Sequence, residues 1–377
     1  MKFENFHSGS WLTRYQYNSF EPTLINQEWT WEDPSINTLL EKATQALGEL
    51  NAFSLIVPDI DLFIRMHIVK EAQSSSKIEG TQTGIDEALM PEEHIKPEKR
   101  NDWREVQNYI EAVNCAVLEL KSLPLSNRLL RGTHAILMRG ARGEHKSPGE
   151  FRSSQNWIGG SSLSDAVFIP PHPQGVPDFM SDLEKFWHNE TIFVPHLIRV
   201  ALSHYQFETI HPFLDGNGRI GRLFIPLYLI NHGLLSKPSL YLSDFFESNR
   251  ASYYDALMRV RISHDLHHWV KFFLNGVAKT ATKGRDVFNR ILTLRTDLQK
   301  TTLTLGKRAT TAQQALNILY NKPVIQSREL AEALGITSPT ANNLLKEFVK
   351  KGILNESTGQ KRDRVFVFDP YIKLFLI

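Results

Sequence analysis

The sequence predicts a mainly α protein: a helical body, a small β-hairpin near the middle of the chain, and a C-terminal helix-turn-helix followed by a two-stranded wing. Three observations predict it. Apolar residues recur at three-and-four spacing in nearly every window, strict alternation is confined to short runs, and Gly, Pro and Ser concentrate between residues 140 and 173. With 377 residues, 41% of them hydrophobic and 22% charged, the chain has ordinary globular usage and room for two or three domains. That composition excludes disorder, collagen-like repeats and a coiled-coil rod.

The elements follow in order. Ile36, Leu39, Leu40, Ala43, Leu47 and Leu50 mark one helix, and Leu62, Ile64, Ile68, Val69 and Ala72 a second that runs on toward Gly80. A polar stretch over 91–100 separates these from helices over 103–120 and 127–138. Gly159, Gly160 and the β-prone run Ala166-Val167-Phe168-Ile169 read as a long surface loop with a small hairpin. Helices return at 178–188, 195–210, 219–232 and 252–262, and a long one spans 266 to about 300. Three short helices then occupy 312–320, 327–334 with Ser327 as N-cap, and 338–350, with Gly335 as the turn between the last two. Ile353-Leu354, a polar turn and the alternating Arg364-Val365-Phe366-Val367-Phe368 complete the order of a winged-helix domain. The division is an N-terminal helical region over 1–100, a core over 101–305 and the winged helix over 306–377.

Charge excludes more. Lys+Arg number 43 against 41 Asp+Glu, a net charge of +2, so no whole-chain basic field draws nucleic acid or membrane. The single cysteine, Cys115, forms no intramolecular disulfide and sits on an apolar-periodic stretch, where it reads as a small buried hydrophobe. The N-terminus lacks the apolar core of a signal peptide, and the longest purely apolar run, 223–230, is far short of the roughly 20 residues that span a bilayer. The expectation is a cytoplasmic protein without a membrane partner.

Chemistry concentrates in His211-Pro212-Phe213-Leu214-Asp215-Gly216-Asn217-Gly218-Arg219-Ile220-Gly221-Arg222, between two apolar-periodic helices. Gly216 and Gly218 flank Asn217, so the backbone can aim successive N–H groups at one point at a helix N-terminus, where anions bind. Arg219 and Arg222, three apart, share a helix face and can reach the same anion. Asp215 is a hard oxygen ligand suited to Mg²⁺ alongside nucleotide phosphates, and His211 can take a proton as general base. Phe213 is expected to point inward. No Gly-Lys-Ser/Thr follows the glycines, so this is not a Walker A loop.

These twelve residues resemble the signature of the Fic family (filamentation induced by cAMP), His-x-Phe-x-Asp/Glu-Gly-Asn-Gly-Arg-x-x-Arg, at every specified position. The resemblance implies a Fic-type helical core with a small β-hairpin flap, and transfer of AMP from ATP to a Ser, Thr or Tyr hydroxyl of a target protein. It implies His211 as base, Asp215 as ligand of Mg²⁺ or Mn²⁺, and Gly216, Asn217, Gly218, Arg219, Ile220, Gly221 and Arg222 as the ATP-binding set. Gly149-Glu150-Phe151-Arg152 and Gln155–Gly159, leading to Val167, Phe168 and Ile169, look like the family's flap, whose edge aligns the target by main-chain pairing. Tyr254 corresponds to a tyrosine lying against adenine; spacing alone would make it a core aromatic.

Ser75-Ser76-Lys77-Ile78-Glu79-Gly80 fits the family's inhibitory pattern, Ser/Thr-x-x-x-Glu-Gly/Asn. On a helix Ser75 and Glu79 lie one turn apart, and Gly80 can end the helix so that Glu79 projects. The expectation is that Glu79 pairs with Arg222 in the space of the γ-phosphate.

In the winged helix, 337–351 would be the recognition helix (Ser338, Thr340, Asn342, Asn343, Lys346, Lys350), with Lys361-Arg362 on the wing. From residue 311 on, nine Lys+Arg face six Asp+Glu, a weakly basic balance that leaves DNA binding and protein docking both open. Family relatives often dimerise, so a homodimer is a further expectation. Alternatives to AMP transfer are transfer of another group, removal of AMP, and a nucleotide-sensing transcriptional regulator acting through the winged helix.

Overall fold

The computed structural model describes residues 1–57, 59–140, 144–357 and 364–376. The chain opens with an antiparallel hairpin, β1 (Gly9–Thr13) and β2 (Asn18–Pro22), which the helical periodicity did not announce. Then come α1 (Pro34–Ile56), α2 (Ile60–Ile78), the short α3 (Ile85–Leu89), α4 (Arg100–Glu119) and α5 (Asn127–Leu137). A long loop leads to α6 (Val176–His188), α7 (His196–Ile210), α8 (Asn217–Asn231), α9 (Ser243–Ser248), α10 (Arg250–Ser263) and α11 (Leu266–Leu303). The C-terminal unit comprises α12 (Ala309–Asn321), β3 (Val324–Gln326), α13 (Ser327–Leu334), α14 (Ser338–Lys350), β4 (Asn355–Glu356), β5 (Val365–Val367) and α15 (Asp369–Ile372). The fold is thus mainly α with a winged helix-turn-helix at its end.

Helices α7 and α8 form the centre. Every residue of α7 from Leu197 to Ile210 is buried, and so are almost all of α8 up to Leu229, so both are enclosed on all sides rather than on one stripe. The loop between them is therefore set on rigid, surrounded supports. α1 lies along α11, while α2, α4 and α5 approach the start of α8 from other sides. Phe3 and Phe6 from the N-terminus and Tyr320 and Tyr371 from the winged helix join the same continuous hydrophobic core. Among the described residues no helix is long and apolar enough to cross a membrane.

Several expectations are corrected. The hairpin at 166–169 shrinks to one bridged pair, Ile158 with Phe168, because the run is drawn to β2 instead: Phe20 N–H donates to the Ile169 carbonyl at 2.9 Å. The cap of α13 is Gln326 and not Ser327; its N–H donates to the Glu329 carboxylate at 2.8 Å. All three residues of β5 are buried, against the expected alternation, because β5 is the middle strand of a β3-β5-β4 sheet. Cys115 is half-buried. Lys361 and Arg362 lie outside the described residues.

Candidate active site

His211 ends α7 in the left-handed region (φ 51°), which turns the chain sharply toward α8. The loop is then tied by its own side chains. Asn217 Oδ1 accepts from Phe213 N–H and its Nδ2 donates to the Phe213 carbonyl, both at 2.8 Å. The side chain of Asn217 is thus spent on bracing the loop, and its contribution to an anion site rests on its backbone. Gly216 (φ 75°) precedes the first turn of α8, and a Cβ there would fall 2.9 Å from Met138 Sδ. Phe213 points inward as expected and stacks on His134 at 3.8 Å. Burial first, then Arg261 and Arg152, lowers the His211 pKa to about 3, with Glu79 opposing, so the imidazole is neutral at neutral pH.

The two arginines diverge and then meet around one carboxylate. Arg222, 2% exposed, donates from Nε to Ser75 Oγ (2.9 Å) and from Nη2 to the Ser75 carbonyl (3.0 Å) and Glu79 Oε1 (2.6 Å). Arg219 lies 3.5 Å from Glu105 and 3.7 Å from Asp215. Glu79 follows the last turn of α2, and Gly80 (φ 104°) carries the chain away. Glu79 Oε1 lies over the first turn of α8, where a Cβ on Gly218 would come within 2.4 Å of it. Desolvation raises the Glu79 pKa, but Arg222, Arg219 and His211 outweigh it and the net shift is downward. The Glu79 side chain is 37% exposed, so the carboxylate has a way out to solvent that the Arg222 guanidinium lacks. Beside it opens a cavity of about 260 Å³ lined by Glu79, Thr81, Glu105, Met138, Asp215 and Arg219.

The half-exposed Asp215 carboxylate faces this cavity, with Oδ1 held by Gly216 N–H at 2.6 Å. Among the described residues no cluster of three or more His, Cys, Asp or Glu is arranged to hold a metal. One carboxylate completed by phosphate and water oxygens is the donor set that suits Mg²⁺ or Mn²⁺, so Asp215 fits such an ion.

Ile220 and Gly221 do not belong with the anion cradle. Ile220 is fully buried and its N–H already donates to the Gly216 carbonyl; Gly221 packs against Glu208 and Phe207 of α7. Helical spacing puts Arg219 and Arg222 on one face and these two residues on others. Tyr254 is 39% exposed beside Arg250, whereas its neighbour Tyr253 is the core aromatic, bonded through its hydroxyl to His204 at 2.9 Å. In the flap only Val167 is exposed. Phe168 is buried beneath the Arg261 guanidinium (4.0 Å) and Ile169 is 7% exposed, so neither side chain is available to a target.

Four supporting residues escaped the sequence reading. Arg152 donates to the His211 carbonyl (2.9 Å) and the Pro171 carbonyl (2.6 Å), and Asn156 Nδ2 donates to the Phe213 carbonyl (2.8 Å). His134 Nε2 lies 3.0 Å from the Asp215 carbonyl, while its Nδ1 accepts from Gly149 N–H at 2.9 Å. Glu208 is buried one turn before His211, and burial, opposed by Arg222, raises its pKa to about 7. The polar types of Arg152 and Asn156 in a Gly-rich loop were a signal; His134 and Glu208 on apolar helices gave none.

Residues 37–118 match the Fic/DOC family N-terminal region, 124–229 the Fic/DOC family, and 308–355 a winged helix-turn-helix DNA-binding family. Over 133 residues the chain is 34% identical to a protein adenylyltransferase Fic of Culex quinquefasciatus and 32% identical to one of Aedes aegypti, covering 35% of this chain and 24% of each relative. The chain thus spans about a quarter of the length of these curated relatives. Its fold is similar to that of a Fic family protein from Desulfovibrio desulfuricans, with a TM-score of 0.56 at 20% identity over 91% of this chain and 98% of that one.

Proposed function

We propose that this chain, which carries a Fic domain behind the family's N-terminal region and ahead of a winged helix-turn-helix, transfers AMP from ATP to a hydroxyl of a target protein and is restrained by Glu79. The observation that carries the reading is the meeting of Glu79 Oε1, Arg222 Nη2 and Gly218 at the N-terminus of α8. A helix N-terminus with two arginines beside it is a site for phosphates. The curated relatives are adenylyltransferases by name, which favours AMP over other groups.

In this reading the target Ser, Thr or Tyr oxygen attacks the α-phosphorus, its proton passes to the neutral His211 imidazole, and the bond to the β-phosphate breaks to release pyrophosphate. An imidazole with a pKa near 3 is a weak base; bound phosphate charge would favour its protonated form and move it toward working range. Asp215 would hold Mg²⁺ or Mn²⁺, which supplies neutralisation of phosphate charge. Tyr254 lies on the nucleoside side, and the main chain around Val167 faces the target. Arg152 and Asn156 fix the His211 carbonyl, so the ring is positioned before substrate arrives.

With Glu79 on Arg222, a third phosphate meets a carboxylate in place of a guanidinium. ATP is then excluded or held with its α-phosphorus out of line, and loss of alignment suppresses transfer. Removing one partner of such a desolvated pair is worth about 2–5 kcal/mol, and about 1.4 kcal/mol is tenfold. Glu79→Gly is therefore expected to raise self-labelling from [α-³²P]ATP by more than about tenfold, with an adduct of the mass of AMP. Equal labelling of the two proteins would remove the brake.

A second reading has its own support. α14 exposes Ser338, Thr340, Asn343, Lys346 and Lys350, the surface a winged helix presents to a DNA major groove, and the matched family is a DNA-binding one. A nucleotide-sensing regulator would bind duplex DNA in a salt-dependent gel shift and show no adduct even as Glu79→Gly.

A further inference from the structure

One stripe of α2 joins the winged helix to the brake. Phe63, His67, Glu71, Ser75 and Glu79 follow at successive i, i+4 steps, forming a single ridge along the helix and its cap. At the first step Phe63 meets Tyr320 of α12 with ring centroids 5.3 Å apart and Tyr371 of α15 at 6.3 Å. At the second, His67 meets Phe375 at 5.1 Å. Glu71 accepts from the Tyr109 hydroxyl at 2.9 Å and from Ser243. Ser75 and Glu79 hold Arg222.

No Gly or Pro interrupts α2 between Ile60 and Ile78, so it has no built-in hinge and shifts as one rod. The aromatic seat is buried, with Phe63 and Tyr371 fully covered, yet the Tyr320 and Tyr371 hydroxyls have no hydrogen-bond partner. Unsatisfied buried hydroxyls cost about 1–3 kcal/mol each, which brings a displaced seat closer in energy to the closed one.

We propose that the winged-helix unit sets the Glu79 brake: seated on the first turns of α2, it fixes where the carboxylate lies, and a shift of that seat frees Arg222. The proposal rests on the adenylyltransferase reading and adds its control element. Linkage is reciprocal, so nucleotide held by Arg222 loosens the seat to the same degree that an unseated winged helix favours nucleotide. Duplex DNA on the exposed face of α14 is the natural ligand to exert such a shift.

The test needs no identified DNA site. Phe375→Ala and Phe63→Leu, on opposite sides of the seat, are each made in the wild-type chain and in Glu79→Gly, and self-labelling from [α-³²P]ATP is measured together with amide exchange over 75–81. Each substitution is expected to raise wild-type labelling by about two- to thirtyfold and to speed exchange over 75–81. In the Glu79→Gly background labelling should stay within about twofold, which also shows that the variants fold. Unchanged exchange over 75–81 in folded variants overturns the coupling, as does an equal change of labelling in both backgrounds. If Glu79→Gly itself takes up no label, the transferase reading fails, and exchange over 75–81 alone still decides whether the seat controls the brake.

Discussion

The catalytic loop and the flap face the same reaction and are built in opposite ways. The 211–218 loop is closed by bonds that span four residues or fewer, Phe213 with Asn217 and Asp215 with Gly216. The flap strand is held by one bridged pair and by a residue far away in sequence, Phe20, whose N–H binds the Ile169 carbonyl and whose ring lies 5.6 Å from that of Phe168. The difference teaches that phosphate chemistry is encoded locally, while the target-facing edge is shaped by the N-terminal hairpin. A change of target can follow from a change in the first 23 residues without touching the signature loop.

Phe20→Ala is the largest attack on this contrast. Removing a buried phenyl ring costs about 3–5 kcal/mol, and the loss should appear as faster amide exchange over 158–169 with exchange over 211–222 unchanged. Equal acceleration in both segments would mean that the loop also depends on the hairpin. Asn217→Ala sharpens the other side: it leaves the buried Phe213 N–H without its acceptor, a cost of about 1–3 kcal/mol by chemical denaturation. In the Glu79→Gly background it should also lower self-labelling by more than about tenfold. Intact labelling would show that the brace is dispensable.

A smaller effect concerns pH. Burial lowers His67, His134 and His232 to about 4, and His204 and His211 to about 3. Groups whose folded pKa is depressed below 6.5 take up protons in the unfolded chain first, so their contribution is complete above pH 6.5 and is lost as pH falls toward the folded values. Glu208 acts in the opposite sense, its contribution lost as pH rises through about 7, but it is one group against five. The Tm should therefore fall by about 5 °C or more between pH 7.5 and 5.0 by calorimetry. A flat profile would mean that these imidazoles are not held neutral.

The same contrast explains what the sequence made legible. The helices α1, α2, α7, α8 and α11 were readable because their apolar spacing is long and regular, and Gly80, Gly216 and Gly335 mark the turns that need positive φ. The pairing of Arg222 with Ser75 and Glu79 was readable only through resemblance, since 143 residues separate Arg222 from Glu79. The hairpin β1–β2, the strand β3 and the roles of His134 and Arg152 were not legible. Each is settled by a partner distant in the chain: Ile169 for β2, β5 for β3, the 211–215 backbone for the two side chains. Ile220 and Gly221 entered the expected binding set because they fall inside the motif, whereas helix geometry turns them inward.

The central claim is that the His211 imidazole and the α8 N-terminus act on the α-phosphorus once Glu79 is gone. Its most direct test is parallel labelling of Glu79→Gly protein with [α-³²P]ATP and [γ-³²P]ATP, with and without His211→Ala. The account predicts label from the α position alone, reduced by about 10²-fold or more without the imidazole. Label from the γ position, or α label that survives the loss of His211, would contradict it.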